Sequence, residues 1–134
     1  AVQRMRFELI DRVLEQSAER IVAVKSVTSA EEYLADHFPS FPVLPGVMML
    51  ETLVQAGRKL LADRSDRPLV VTEVRNVRYG NMVRPGQSLV VEVTLKKDDD
   101  AGWDLTGVGR VNEQVAVQGR FRLSPLANAA PTTA

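Results

Sequence analysis

One histidine and one carboxylate stand out by their placement. His37 is the sole histidine, and it opens the run His37-Phe38-Pro39-Ser40-Phe41-Pro42-Val43-Leu44-Pro45-Gly46. Fourteen positions later Glu51 interrupts an apolar run that starts Val47-Met48-Met49-Leu50 and resumes Thr52-Leu53-Val54. An imidazole titrates near neutrality and can take or give a proton there. A carboxylate among apolar neighbours is costly unless it shifts its pKa or finds a tertiary partner. Read singly, each has a plainer role: His37 as a loop residue capping a neighbour, Glu51 as a solvated residue or a bond to a backbone amide. Within one loop of each other, the two point to proton transfer, because perturbed acid–base pairs cluster at functional sites.

The element that carries Glu51 follows from local chemistry. Prolines at 39, 42 and 45 exclude a helix over that span, since each lacks an N–H and fixes φ. From Gly46 no Pro or Gly intervenes until Gly57, so the sequence predicts a helix over 46–62, about four turns long. Up to Ala56 it is apolar almost all round, which predicts burial on every side. The helical neighbours of Glu51 are Val47, Met48, Val54 and Gln55, none charged. Arg58 lies two turns on, roughly 10 Å along the axis. The expectation is a buried carboxylate with no partner in its own helix. At the start of the helix the N–H groups of Gly46 and Val47 are unpaired and favour negative charge. A carbonyl placed there would have its developing oxyanion stabilised. Gly46, lacking Cβ, would let a substrate approach the backbone. A plain helix start after Pro45 fits the spacing equally well.

The rest of the chain reads as an α+β scaffold. Leu89, Val91, Val93 and Leu95 alternate with Val90, Glu92, Thr94 and Lys96, the period of a half-buried strand. Asp98 to Gly102 is a turn, and Trp103, Leu105, Gly107, Gly109 and Val111 resume the alternation. Asn112-Glu113 turns the chain again before Val115, Val117, Gly119, Phe121 and Leu123. These three strands form an antiparallel meander. With strands near 9–15, 20–28 and 69–79, the expected sheet has about six strands and wraps the helix.

Composition sets bounds. The 134 residues suit one domain, expected over 1–126, with 127–134 a loose tail. Seventeen basic and seventeen acidic residues balance, so nucleic acid is not an expected partner. With no cysteine and one histidine, thiolate chemistry is excluded and a zinc site is not expected. The start AVQRMRFELID has no apolar signal-peptide core and nothing approaches a membrane span, so the cytoplasm is the expected location.

The stretch HFPSFPVLPGVMMLETLVQA resembles the signature of the β-hydroxyacyl-acyl carrier protein dehydratases of the hot-dog fold, the FabZ and FabA type. Asp11-Arg12-Val13-Leu14, Arg20 to Thr28, Asn76-Val77-Arg78-Tyr79 and Val83-Arg84-Pro85-Gly86 resemble further elements of that family. The resemblance implies a hydro-lyase that forms a trans-2-enoyl thioester without a cofactor or metal. His37 would be the base and Glu51 the second catalytic group, acting as acid or through a held water. The Gly46 N–H, with Val47 beside it, would polarise the thioester carbonyl. The Val43 carbonyl would hold the second imidazole nitrogen, and Gln55 would support Glu51 from one turn away. His and Glu of one site would come from different subunits of a homodimer, with a trimer of dimers as a larger assembly. An acidic acyl carrier protein would be the partner; Arg58, Lys59, Arg64, Arg67, Arg78 and Arg84 are candidate contacts, and each fits a solvated mixed-charge face at least as well. The chain departs from the pattern at three positions. Asp36 replaces the Gly before the histidine, where a carboxylate would favour the protonated imidazole. Val70 stands where a Tyr is frequent, and Gly80 where a basic residue is usual. Two other readings are a thioesterase or hydratase of the same fold acting on CoA esters, and a non-catalytic subunit that binds acyl chains.

Overall fold

A computed structural model of the chain describes residues 9–27, 44 and 46–126. Strands β1 (Arg12–Gln16) and β2 (Arg20–Ser26) precede helix α1 (Gly46–Leu60) and a short 3-10 turn at Ala62–Arg64. Four strands follow: β3 (Leu69–Tyr79), β4 (Ser88–Asp99), β5 (Gly102–Val111) and β6 (Gln114–Pro125). All pair antiparallel in one sheet of order β1-β2-β4-β5-β6-β3. This is the expected hot-dog arrangement, a six-stranded sheet curved around one helix. The consecutive pairs β4–β5 and β5–β6 are the expected meander. The turn between β5 and β6 uses Asn112 and Glu113 at φ 50° and 67°, the left-handed pair that matches the twist of a two-residue hairpin.

The alternation seen in the sequence sorts the two faces of the sheet. Leu89, Val91 and Val93 are fully buried, while the alternating Ser88 and Val90 are exposed and Glu92 is half-buried. Leu105, Val117, Phe121 and Leu123 complete the apolar face, on which α1 lies. Small residues let the helix come close. A Cβ at Gly107 would stand 3.1 Å from a Leu53 methyl, and one at Gly57 would stand 3.0 Å from the Phe121 ring.

Two expectations are corrected here. The first strand begins at Arg12, not near residue 9. Leu9 and Ile10 instead turn into the core, and the Leu9 N–H is taken by the Gln55 side chain rather than by a ladder. The helix is not buried on every side. Val47 is 68% exposed, and Glu51, Gln55 and Arg58 on the same stripe are partly exposed. One sheet covers only one side of a cylinder, so the opposite stripe of α1 is open in the single chain. Among the described residues no helix is long and apolar enough to cross a membrane.

Candidate active site

Glu51 sits at the centre of that open stripe, its side chain 41% exposed. The expectation that it lacks a partner in its own helix is wrong. Arg58 Nη1 lies 3.5 Å from Glu51 Oε2, and Gln55 Nε2 donates to the same oxygen at 3.4 Å. Steps of four and then three residues return to the same face, so 51, 55 and 58 line up. The axial rise between Glu51 and Arg58 measures backbone separation only, and two long side chains span it. Arg58 is itself anchored, because its Nε donates to the Leu69 carbonyl at the start of β3, 3.0 Å away.

The second link is Gln55. Its Oε1 accepts from the Leu9 N–H at 2.9 Å, which leaves the NH2 end pointing to Glu51. A flipped amide would set two donors against each other at Leu9, so the backbone dictates the orientation. The result is an asymmetric carboxylate. Oε2 receives Gln55 and Arg58, while Oε1 has no partner among the described residues. Among the described residues one oxygen is held and the other has no partner, a geometry suited to exchanging a proton or holding a water. Leu9 escaped the sequence reading, and Arg58 was placed too far from Glu51 to pair with it. No local signal in the chain links residue 9 to residue 55, whereas the i+7 spacing and length of Arg58 could have revealed its reach.

At the N-terminus of α1, Leu44 donates to the Val83 carbonyl at 2.7 Å and is buried, which pins the chain just before the helix. The first turn carries no acidic residue. A Cβ on Gly46 would stand 3.0 to 3.3 Å from three carbons of the Tyr79 ring, at the end of β3. Glycine here makes room for Tyr79, itself half exposed. Val47 points outward beside it. His37, Asp36 and Val43 lie outside the described residues. Of the departures, Val70 is half-buried opposite Ser124. Gly80 has a steric reason: a Cβ there would collide with the Val115 carbonyl oxygen.

Of the six basic residues, Arg58 and Arg64 are committed internally, the second to the Ala18 carbonyl. Lys59, Arg67, Arg78 and Arg84 are exposed. A separate charge cluster lies on the outer side of the sheet, where Arg122 donates to Asp99 at 2.5 Å and Asp104 at 2.8 Å. The Arg122 bond, helped by the Ala101 N–H, holds the Asp99 carboxyl below the usual carboxylate range. A cleft of about 340 Å³ on that outer side of the sheet, lined by Glu73, Arg75, Lys96 and Lys97 among others, includes neither Glu51 nor Gly46.

Residues 2–120 match the family model of the FabA-like domain. The chain is 41% identical over 123 residues to the 3-hydroxyacyl-[acyl-carrier-protein] dehydratase FabZ of Anaeromyxobacter sp. (strain K), a match covering 86% of this chain and 78% of that protein. It is 37% identical over 122 residues to the FabZ of Paracidovorax citrulli, covering 86% and 84%. Among solved structures, the dehydratase heterocomplex ApeI:P from Xenorhabdus doucetiae superposes with a TM-score of 0.72 at 20% identity, over 88% of this chain and 82% of that one, a likeness of fold. With the helix-borne Glu51, the six-stranded sheet and the family match over most of its length, the chain belongs to the FabA-like family of hot-dog proteins.

Proposed function

We propose that this protein is a 3-hydroxyacyl-acyl carrier protein dehydratase, which removes water from a β-hydroxyacyl thioester to give the trans-2-enoyl thioester in fatty acid or related polyketide-type biosynthesis. The observation that carries this reading is Glu51, with one oxygen held by Gln55 and Arg58 and the other open, in a chain 41% identical to a FabZ over 123 residues. In this mechanism His37 takes the C2 proton, made acidic by a thioester carbonyl polarised at the Gly46 N–H with Val47 beside it. The C3–O bond breaks as the C2=C3 bond forms. The hydroxyl leaves as water, its proton delivered through the His37 and Glu51 pair. The Val43 carbonyl keeps the second imidazole nitrogen protonated, so that the first is free to act as base.

The site is built across a homodimer, where His37 of one subunit works with Glu51 of the partner subunit. Two features support a second subunit. The stripe Val47, Glu51 and Gln55 is exposed at Val47 and partly exposed at the other two in one chain, and β3 ends the sheet with its outward edge unpaired among the described strands. An unpaired edge strand is a template for another chain. The carrier protein, being acidic, suits the exposed Lys59, Arg67, Arg78 and Arg84, and the cytoplasm is the place of work.

The test uses purified protein and a 3-hydroxyacyl-acyl carrier protein, with appearance of the enoyl thioester as readout. His37→Ala and Glu51→Gln should each lose activity by orders of magnitude while staying folded. Mixing the two inactive variants should recover part of it, because some mixed dimers hold one intact site. Wild-type turnover in either folded variant would overturn the assignment. Failure of mixing to recover activity would overturn the shared site.

A further inference from the structure

The outer face of the sheet gathers more cations than its carboxylates can match. Residues opposite each other across an antiparallel pair share a face. Arg120 of β6 lies opposite Thr106 of β5 and Arg75 of β3, while its neighbour Phe121 is buried in the core on the other side. Arg75 and Arg120 therefore stand side by side on the outer face, a like-charged pair of the kind that destabilises a sheet. A bulge adds a third guanidinium. From Arg75 to Arg78 β3 advances three residues while β6 advances two, from Arg120 to Gln118, and Asn76 in the gap takes φ 55°. Residues three apart on a regular strand point to opposite faces, so the extra residue brings Arg78 to the face of Arg75. A second bulge, in β4, sets Lys97 opposite Asp104 two residues after Leu95 meets Leu105, and its added residue is Lys96. Five basic and two acidic residues line the cleft of about 340 Å³, and both acids are taken: Asp104 by Arg122 at 2.8 Å, Glu73 by Arg75 at 3.0 Å. Arg120, Lys96 and Lys97 have no carboxylate partner among the described residues. Arg120 and Thr106 also line a second cleft, of about 480 Å³, whose one other charged residue is Arg78.

We propose that this outer face binds a small molecule carrying two linked phosphate groups, laid across Arg120 with one phosphate toward Arg75 and the other toward Arg78. The planar guanidinium fork matches phosphate oxygens, and an anion between Arg75 and Arg120 turns their repulsion into two charge-assisted contacts. Thr106, which lines both clefts, and Gln118, which lies opposite Arg78, add neutral donors. The site is separate from Glu51 and Gly46, and it does not depend on the dehydration chemistry. Arg78 is also a candidate carrier contact, so an acidic protein surface is the competing occupant. Distance favours the small anion. Asp98, Asp99 and Asp100 crowd the end of the β4–β5 hairpin, where Asp99 pairs with Gly102. Thr106 lies four residues beyond Gly102, about 13 Å along the strand. That exceeds a Debye length of about 8 Å at physiological salt. An anion on Arg120 is thus screened from carboxylates that a broad acidic surface covering the face would meet directly.

Titration calorimetry of the full chain with pyrophosphate, ADP and orthophosphate tests the site. Pyrophosphate and ADP should bind once per chain, and orthophosphate at least roughly tenfold more weakly, since it reaches only one of the two clefts. ADP binding tighter than pyrophosphate would mark a nucleotide as the source of the phosphates, and equal binding would mark the phosphate pair alone. Arg120→Gln should raise the dissociation constant for pyrophosphate by roughly tenfold or more, the loss expected for a hydrogen bond from a charged group. Without ligand the same variant should melt no lower than the wild type, because it removes the like-charged pair with Arg75. Lys59→Gln, a change on the helix, should bind pyrophosphate as the wild type does. Three outcomes would overturn the site: no binding of pyrophosphate or ADP at millimolar concentration, an Arg120→Gln protein that binds unchanged, or an equal loss in Lys59→Gln. Acyl carrier protein binding that Arg120→Gln abolishes, in a chain that takes neither small anion, would assign the face to the carrier instead and overturn it as well.

Discussion

Replacing Glu51 by Gln separates chemistry from scaffold, because the structure bounds what the carboxylate does for stability. Its ion pair with Arg58 is 3.5 Å long, with the two side chains 41% and 39% exposed. A pair so open to water contributes about 0.2–1 kcal/mol after solvent screening. The Gln55 contact at 3.4 Å is long, and an amide oxygen still accepts it. The variant should therefore lose at most about 1 kcal/mol, a fall in Tm of no more than about 5 °C for a chain of this size. A positioned acid–base group contributes about 10²- to 10⁴-fold in rate. At 1.36 kcal/mol per decade that is about 2.7–5.5 kcal/mol of barrier, several times the stability effect. Thermal melts followed by circular dichroism give the first quantity. Steady-state kcat/KM with a hydroxyacyl thioester gives the second. Arg58→Gln is the matched control. It breaks the same ion pair and also the bond to the Leu69 carbonyl, so it should cost about 1–2 kcal/mol of stability. With the carboxylate still in place, its kcat/KM should fall less than tenfold. An Arg58→Gln enzyme as inactive as Glu51→Gln would show that the ion pair matters rather than the open oxygen. A Glu51→Gln enzyme with near wild-type kcat/KM would refute the role of the carboxylate.

Two more outcomes follow from the packing. Gly80→Arg should destabilise by about 1–3 kcal/mol in urea titrations, because its Cβ would collide with a backbone carbonyl that cannot rotate away. A neutral or stabilising result would mean that the β3 end shifts freely. Arg122→Gln tests the outer charge cluster through pH. The Asp99 carboxyl is held below its unfolded value, so its contribution to stability is present above an unfolded pKa of about 3.9 and is lost as pH falls through the lower folded value. Without Arg122 the protein should be less stable near neutrality, with the loss on acidification below about pH 4 shallower than in the wild type. An unchanged acid limb by circular dichroism would show that Arg122 does not hold Asp99.

Everything that depends on neighbours along the chain was legible in the sequence. Period-two runs placed β4, β5 and β6 with their turns, because strand faces alternate residue by residue. Three prolines and Gly46 placed the start of α1, because helix nucleation responds to local dihedral limits and N–H supply. The segment that carries Glu51 was recognisable for the same reason. The environment of Glu51 was not. Which stripe of α1 stays open depends on a single sheet covering one side. The Leu9 amide meets Gln55 only because tertiary packing brings residues 46 positions apart together. Gly46 and Gly80 owe their missing side chains to Tyr79 and Val115, far away in sequence. The position of β3 at the sheet edge is likewise set by its pairing with β6, a distant segment of the chain. Contacts of this kind arise from packing between distant segments, and no local pattern of residue types encodes them.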